Sequence, residues 1–195
     1  MSLVGAIILL VGDSWAAGPA GAGLADALRA EGAQVIVDGV VGRSANLLAA
    51  NMRSFLDEVA ATRPTHVVFL LGVNDVVSQR TRDSYDALYA AVTSAGASAW
   101  ILSNATLPDS SYRAKVLRIE RTQREVFGTH ALPGALLSDP SWFDHTGYHL
   151  TPEAAPSWVA LVAPMLVRLI EGQSSPLARL GRSIVKLVPF GERWI

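Results

Sequence analysis

The chain has no cysteine among its 195 residues. That excludes a disulfide framework, a thiolate nucleophile and a cysteine zinc site, and leaves the redox compartment open. It lacks a dominant charge as well. With 16 basic and 17 acidic residues the net charge is −1, so no overall field favours nucleic acid or an anionic membrane, and no nucleic-acid partner is expected. No apolar run is long enough for a bilayer, because Leu3 to Val11 falls well short of the roughly 20 residues a span needs. No Lys or Arg precedes that run, as a secretory leader would require. A cytoplasmic location is therefore the default expectation.

What is present is a chain that is 50 % hydrophobic, enough for one well-buried core. Short runs rich in β-branched residues, Ala6–Val11, Gln34–Val37, His66–Leu71, Ala99–Leu102 and Ala135–Leu137, read as five strands buried on both faces. Between them lie stretches with helical spacing. Gly23–Glu31 is one. Leu48, Met52, Phe55 and Val59 form a second, behind either Ser44 or Asn46 as cap. Tyr85, Leu88, Tyr89 and Val92 follow Thr81, and Tyr112, Val116, Ile119 and Val126 mark a fourth helix. Trp158, Leu161, Val162, Met165 and Leu169 make the last, opened by Thr151-Pro152 and expected to kink at Pro164.

Strands alternating with helices imply a parallel sheet with helices on both faces, since parallel neighbours need crossover connections. The expected fold is therefore a three-layer α/β/α domain with a flavodoxin-like, five-stranded parallel sheet over residues 1–171. Sites in such sheets form outside the C-terminal strand ends. The polar loops fall there: Asp13 and Ser14, Gly39 to Ser44, Asn74 and Asp75, Asn104 to Asp109, and Asp139 to His149.

The stretch "LLVGDSWAAG" places Ser14 directly after the first strand, as either a helix cap or a nucleophile. Gly42 in "DGVVGRSA" offers an unobstructed backbone N–H, and Asn74 in "LGVND" a side-chain amide. Three donors from three strand ends would form an oxyanion hole. His149 in "FDHTGYHLTPEAA" supplies the general base that a neutral serine hydroxyl needs. Asp13 and Asp75 read as structural acceptors for loop amides. Trp15, Trp142 and Tyr148 lie close to these residues in sequence, and Trp15 and Tyr148 are candidate walls of a substrate pocket.

These four blocks together resemble the SGNH (GDSL-type) hydrolases over roughly residues 5 to 170. "GDSWAAG" matches the nucleophile block at Ser14, "GVVGRS" the glycine block at Gly42, "GVND" the asparagine block at Asn74 and "YHLTPEA" the histidine block at His149. The resemblance implies a serine esterase acting through an acyl-enzyme on a carboxyl ester, a short acyl group such as acetyl on a carbohydrate being favoured, with no metal or organic cofactor. The sequence departs from the family at one point: three residues before the histidine, where an aspartate is usual, stands Thr146. Asp144, Thr146 itself or a backbone carbonyl could orient the ring, and His145 is a bystander or a substrate contact. The departure keeps a second reading open, a catalytically degenerate binding or assembly protein on the same fold.

Residues 172–195 differ in character. They open as a "GQSSP" linker and mix apolar Leu177, Leu180, Ile184 and Val185 with four basic residues and one acidic residue. Residues 177–195 are expected to be an amphipathic attachment segment for a protein partner or for self-association.

Overall fold

A computed structural model describes residues 2–106, 112–134 and 139–172. Five parallel strands form one sheet in the order β2-β1-β3-β4-β5: β1 (Ile7–Gly12), β2 (Gln34–Gly39), β3 (His66–Leu71), β4 (Ser98–Ser103) and β5 (Ala131–Leu132). This is the expected flavodoxin-like arrangement. Along β1 the side chains alternate between two cores, as a strand period of two requires. Ile8 and Leu10 pack under α2 (Pro19–Ala30) and α7 (Ala155–Ile170). Leu9 and Val11 face α3 (Ala45–Ala50), α4 (Met52–Thr62), α5 (Gln79–Ser94) and α6 (Arg113–Phe127). All four of these β1 side chains are fully buried, each stabilising the sheet by about 1.5–3 kcal/mol relative to exposure.

Several boundaries differ from the sequence reading, for identifiable reasons. The second helix begins at Pro19, in its first turn, because a Gly- and Ala-rich start hides its apolar stripe. The Leu48 to Val59 stripe is split at Asn51 into α3 and α4. Ser44 is the cap of α3, its hydroxyl accepting from Leu47 N at 3.2 Å, whereas Asn46 reaches across to Thr81 and Ser84 of α5. Ser78 rather than Thr81 caps α5. Thr151 and Pro152 form a turn ahead of α7, which starts at Ala155 with Pro156 in its first turn and continues through Pro164. The fifth strand pairs with β4 at Ala131 and Leu132. The expected strand at 135–137 and the attachment segment at 177–195 lie outside the described residues. No helix among the described residues is long and apolar enough to cross a membrane.

Candidate active site

At the C-terminal end of β1 the chain turns into α1, a single turn spanning Ser14–Ala17. Its cap is Asp13, whose Oδ1 accepts from Trp15 N at 2.9 Å. Ser14 is therefore the first helical residue and its hydroxyl is not used as a cap. Instead Ser14 Oγ lies 3.0 Å from His149 Nε2, across 135 residues of chain.

His149 is carried on a tight hairpin before α7. Asp144 N donates to His149 O at 3.0 Å, and Gly147 N donates to Asp144 O at 3.1 Å. Gly147 makes this bend with φ of +74°, a left-handed conformation that L side chains rarely adopt. The hairpin is tied to the serine: the Trp15 indole N–H donates to Tyr148 O at 2.8 Å. Trp15 was expected as a pocket wall. It is 3 % exposed, packs edge-on against Trp158 of α7 and lines the cleft beside Ser14. Tyr148 is half-buried beside the catalytic candidate, its ring 4.4 Å from that of His149 and 4.6 Å from that of Tyr112.

Asp144 Oδ2 stands 3.9 Å from His149 Nδ1, within ion-pair range and beyond a hydrogen bond. Its other oxygen, Oδ1, accepts from Thr146 N at 2.9 Å and from the Thr146 hydroxyl. Thr146 thus addresses Asp144 and not the imidazole. Burial works against the Asp144 charge, but the Thr146 hydroxyl and amide, then His149 and His145, together hold the carboxyl below its ordinary range. His145 is exposed.

The two donor loops flank Ser14, because β1 lies between β2 and β3. Among the described residues neither Ser14 N nor Gly42 N has a hydrogen-bond partner in the protein. Gly42, at φ of +80°, has open space where a Cβ would stand. Asn74 Nδ2 donates to Arg43 O at 3.1 Å, which commits one of its two hydrogens and leaves the second for an external acceptor. Three candidate donors with unused N–H groups therefore come from the ends of β1, β2 and β3.

Behind these loops two carboxyls are fully buried. Burial is the chief cause that pushes Asp13 up to about 7, opposed by the Trp15 amide and by Asn104. Burial likewise pushes Asp75 up to about 6, opposed by the Tyr85 hydroxyl at 2.5 Å and the Ala45 amide at 2.8 Å. Both act as acceptors for loop groups, as their positions suggested. Two residues to which the sequence reading assigned no role complete the frame. Asn104, at the end of β4, takes Val73 N on its Oδ1 at 2.9 Å and contacts Asp13 through Nδ2 at 3.5 Å. Gln123 of α6 donates to Leu71 O at 2.8 Å and to the Tyr85 hydroxyl at 2.7 Å. The only signal for Asn104 was its place at a strand end, and the helical spacing of α6 gave none for Gln123.

Beside Ser14 a cleft of about 40 Å³ is lined by Trp15, Gly18, Pro19, Ala20, His149 and Leu150. Among the described residues no group of three or more His, Asp or Glu side chains is placed to hold a metal ion.

No protein-family model and no curated protein matches the sequence. Solved structures do match in fold. An α/β hydrolase, LAE5, from the metagenome of Lake Arreo, Spain, superposes with a TM-score of 0.66 at 14 % identity, over 89 % of this chain and 97 % of its own. The psychrotrophic esterase EstA from Pseudoalteromonas sp., solved with monoethylphosphonate as inhibitor, gives 0.65 at 17 % identity, over 85 % of this chain and 98 % of its own. The acetylxylan esterase Axe2 from Geobacillus stearothermophilus gives 0.62 at 16 % identity, over 85 % and 94 %. Catalytic mutants of Axe2 replace a serine, a histidine and an aspartate by alanine, the aspartate standing three positions before the histidine. A five-stranded parallel sheet between two helical layers, shared with these enzymes over most of its length, gives this chain the fold of the SGNH-type esterases.

Proposed function

We propose that the chain is a serine esterase that cleaves a carboxyl ester through an acyl-enzyme. The observation that carries this reading is the 3.0 Å contact between Ser14 Oγ and His149 Nε2, beside two backbone amides that have no other partner among the described residues. A neutral hydroxyl attacks a carbonyl only if a base removes its proton as the bond forms. His149 Nε2 takes that proton. The carbonyl oxygen gains the negative charge and accepts from Ser14 N, Gly42 N and the free hydrogen of Asn74 Nδ2. Collapse breaks the ester C–O bond, and the imidazolium returns the proton to the departing alcohol. Water then attacks the acyl-serine as His149 takes its proton, the acyl C–O bond to Ser14 breaks, the imidazolium returns the proton to Ser14 Oγ, and carboxylic acid leaves. Asp144 stabilises the imidazolium by its charge at 3.9 Å.

The acyl group is short, acetyl being the type, a reading supported by the small size of the cleft beside Ser14, about 40 Å³. A carbohydrate alcohol is the favoured leaving group, supported by the likeness in fold to an acetylxylan esterase.

The test is turnover of p-nitrophenyl acetate and acetylated xylo-oligosaccharides, beside intact-mass detection of one organophosphonate adduct. Ser14→Ala should lose both turnover and adduct while melting at the wild-type temperature. Asn74→Ala should lower kcat by roughly 10²- to 10³-fold, the usual cost of one oxyanion donor. Wild-type turnover in Ser14→Ala would refute the assignment. A folded wild type that neither turns over nor takes the adduct would favour the non-catalytic binder.

A further inference from the structure

Arg43 follows Gly42 directly and is drawn under the sheet edge instead of extending into solvent, its side chain only 13 % exposed. Its guanidinium makes four contacts. Nη1 donates to Asp38 Oδ2 at 2.7 Å, to Asp38 O at 2.7 Å and, more weakly, to Gly12 O at 3.4 Å, and Nη2 donates to Asp38 Oδ1 at 3.0 Å. The carboxylate is thus gripped by both arms of the guanidinium, the geometry in which Arg–carboxylate pairs combine strength with fixed orientation. At the other end of the residue, Arg43 N closes the Val40–Arg43 turn on Val40 O at 3.1 Å, and Arg43 O receives the Asn74 amide at 3.1 Å. Val40 N also donates to Gly12 O at 3.0 Å, so this turn is fastened twice to the residue two positions before Ser14.

One residue therefore connects the ends of all three strands that carry the proposed oxyanion donors. Its side chain holds β2 and β1, and its carbonyl sets the plane of the Asn74 amide. Gly42 itself is at positive φ with open space where a Cβ would stand, so its orientation depends on the fastening of the residues beside it. Hydrogen bonds weaken steeply when donors tilt, and a hole stabilises charge only while its donors are fixed in advance. We propose that Arg43, pinned on Asp38, is the positioning residue of the oxyanion hole, aligning Gly42 N and Asn74 Nδ2 on the oxygen of the substrate bound at Ser14. This inference rests on the esterase reading and adds to it a residue that does not touch the reacting atoms.

Because the hole acts on charge that develops only in the transition state, loosening it lowers kcat and leaves KM nearly unchanged. Arg43→Ala should lower kcat on p-nitrophenyl acetate by about 10- to 100-fold, less than complete loss of a donor, with KM within a few-fold. Added ethylguanidinium should restore part of the rate by refilling the vacated site. Arg43→Lys keeps the charge and cannot span both carboxylate oxygens, so its kcat should fall between wild type and Arg43→Ala. Asp38→Asn should fall with it, and the Arg43→Lys, Asp38→Asn double variant should be little worse than either alone. Melting temperatures are measured beside each rate. A folded Arg43→Ala or Arg43→Lys with wild-type kcat overturns the proposal, as does a loss confined to KM or a loss that follows melting temperature and resists guanidinium. An inactive wild type that takes no phosphonate overturns the esterase reading itself, a result distinct from an active wild type with an indifferent Arg43.

Discussion

The indole of Trp15 donates to the carbonyl of Tyr148 at 2.8 Å, joining the neighbour of the proposed nucleophile to the neighbour of the proposed base. Ser14 and His149 belong to segments 135 residues apart, and this bond fixes one against the other independently of the contact between the two themselves. The T-shaped packing of Trp15 on Trp158, with centroids 5.4 Å apart, extends the restraint into α7.

Trp15→Phe keeps most of that packing and removes the bond. Stability should fall by about 1 kcal/mol, the net value of an ordinary hydrogen bond. The hairpin then shifts against α1, and a displacement on the order of 1 Å costs up to about 10²-fold in rate. Thermal melts and kcat measured on the same preparation check this. An unchanged kcat with a lowered melting temperature would reduce Trp15 to a core residue.

Asp144→Asn should lower kcat by about 10²-fold, well short of the roughly 10⁴-fold that follows when an aspartate hydrogen-bonded to the histidine is changed. The reason is the 3.9 Å separation from Nδ1 and the commitment of Oδ1 to Thr146. Steady-state kinetics decide between the cases. A 10⁴-fold loss would show that the carboxylate closes onto the ring when substrate binds, and no loss would remove Asp144 from the mechanism.

Asp13 predicts a dependence of stability on pH. Its carboxyl is pushed up to about 7 by burial, from an ordinary value of 3.8. Between these values the folded chain holds a proton that the unfolded chain releases, so stability falls as pH rises through that window and levels off above it. Asp75, pushed up to about 6, contributes the same sign over the lower part of the range. Asp13→Asn should therefore flatten the fall in stability between pH 5 and 7 and leave the variant more stable than wild type at pH 8, by a few kcal/mol as an order of magnitude, with a correspondingly higher melting temperature there. Denaturation across pH 5 to 8 tests this. A wild-type melting temperature indifferent to pH, or a variant that keeps the full slope, would contradict it.

The fold was legible because burial on both faces writes uninterrupted apolar runs, and His66–Leu71 is a strand over the same residues in sequence and structure. The strand at Ala131 and Leu132 escapes a sequence reading because only these two residues pair with β4, too short a run to carry a pattern. Ser14, Gly42, Asn74 and His149 could be picked out because each falls at the end of a strand or just before a helix, where local signals are strong. Arg43 stood in plain view in "GRSA", but an arginine in a loop reads as solvated unless its partner is known, and Asp38 is recognisable as that partner only once β2 has been laid beside β1. Asn104 was hidden for the same reason, since its partners belong to two other strand ends.

The strand order has a consequence for how this site can change over time. With β1 between β2 and β3, the loops that carry Ser14, Gly42 and Asn74 leave neighbouring strands about 4.8 Å apart, a spacing set by main-chain hydrogen bonds. Surfaces and helix exteriors can therefore change while the spacing of the strand ends is inherited intact. The vulnerable event is a slip in alignment. One residue inserted within Gln34–Gly39 would carry the Gly42 loop about 3.3 Å along β1 and turn the buried face of that strand outward, undoing in one step what exchange of surface side chains leaves untouched.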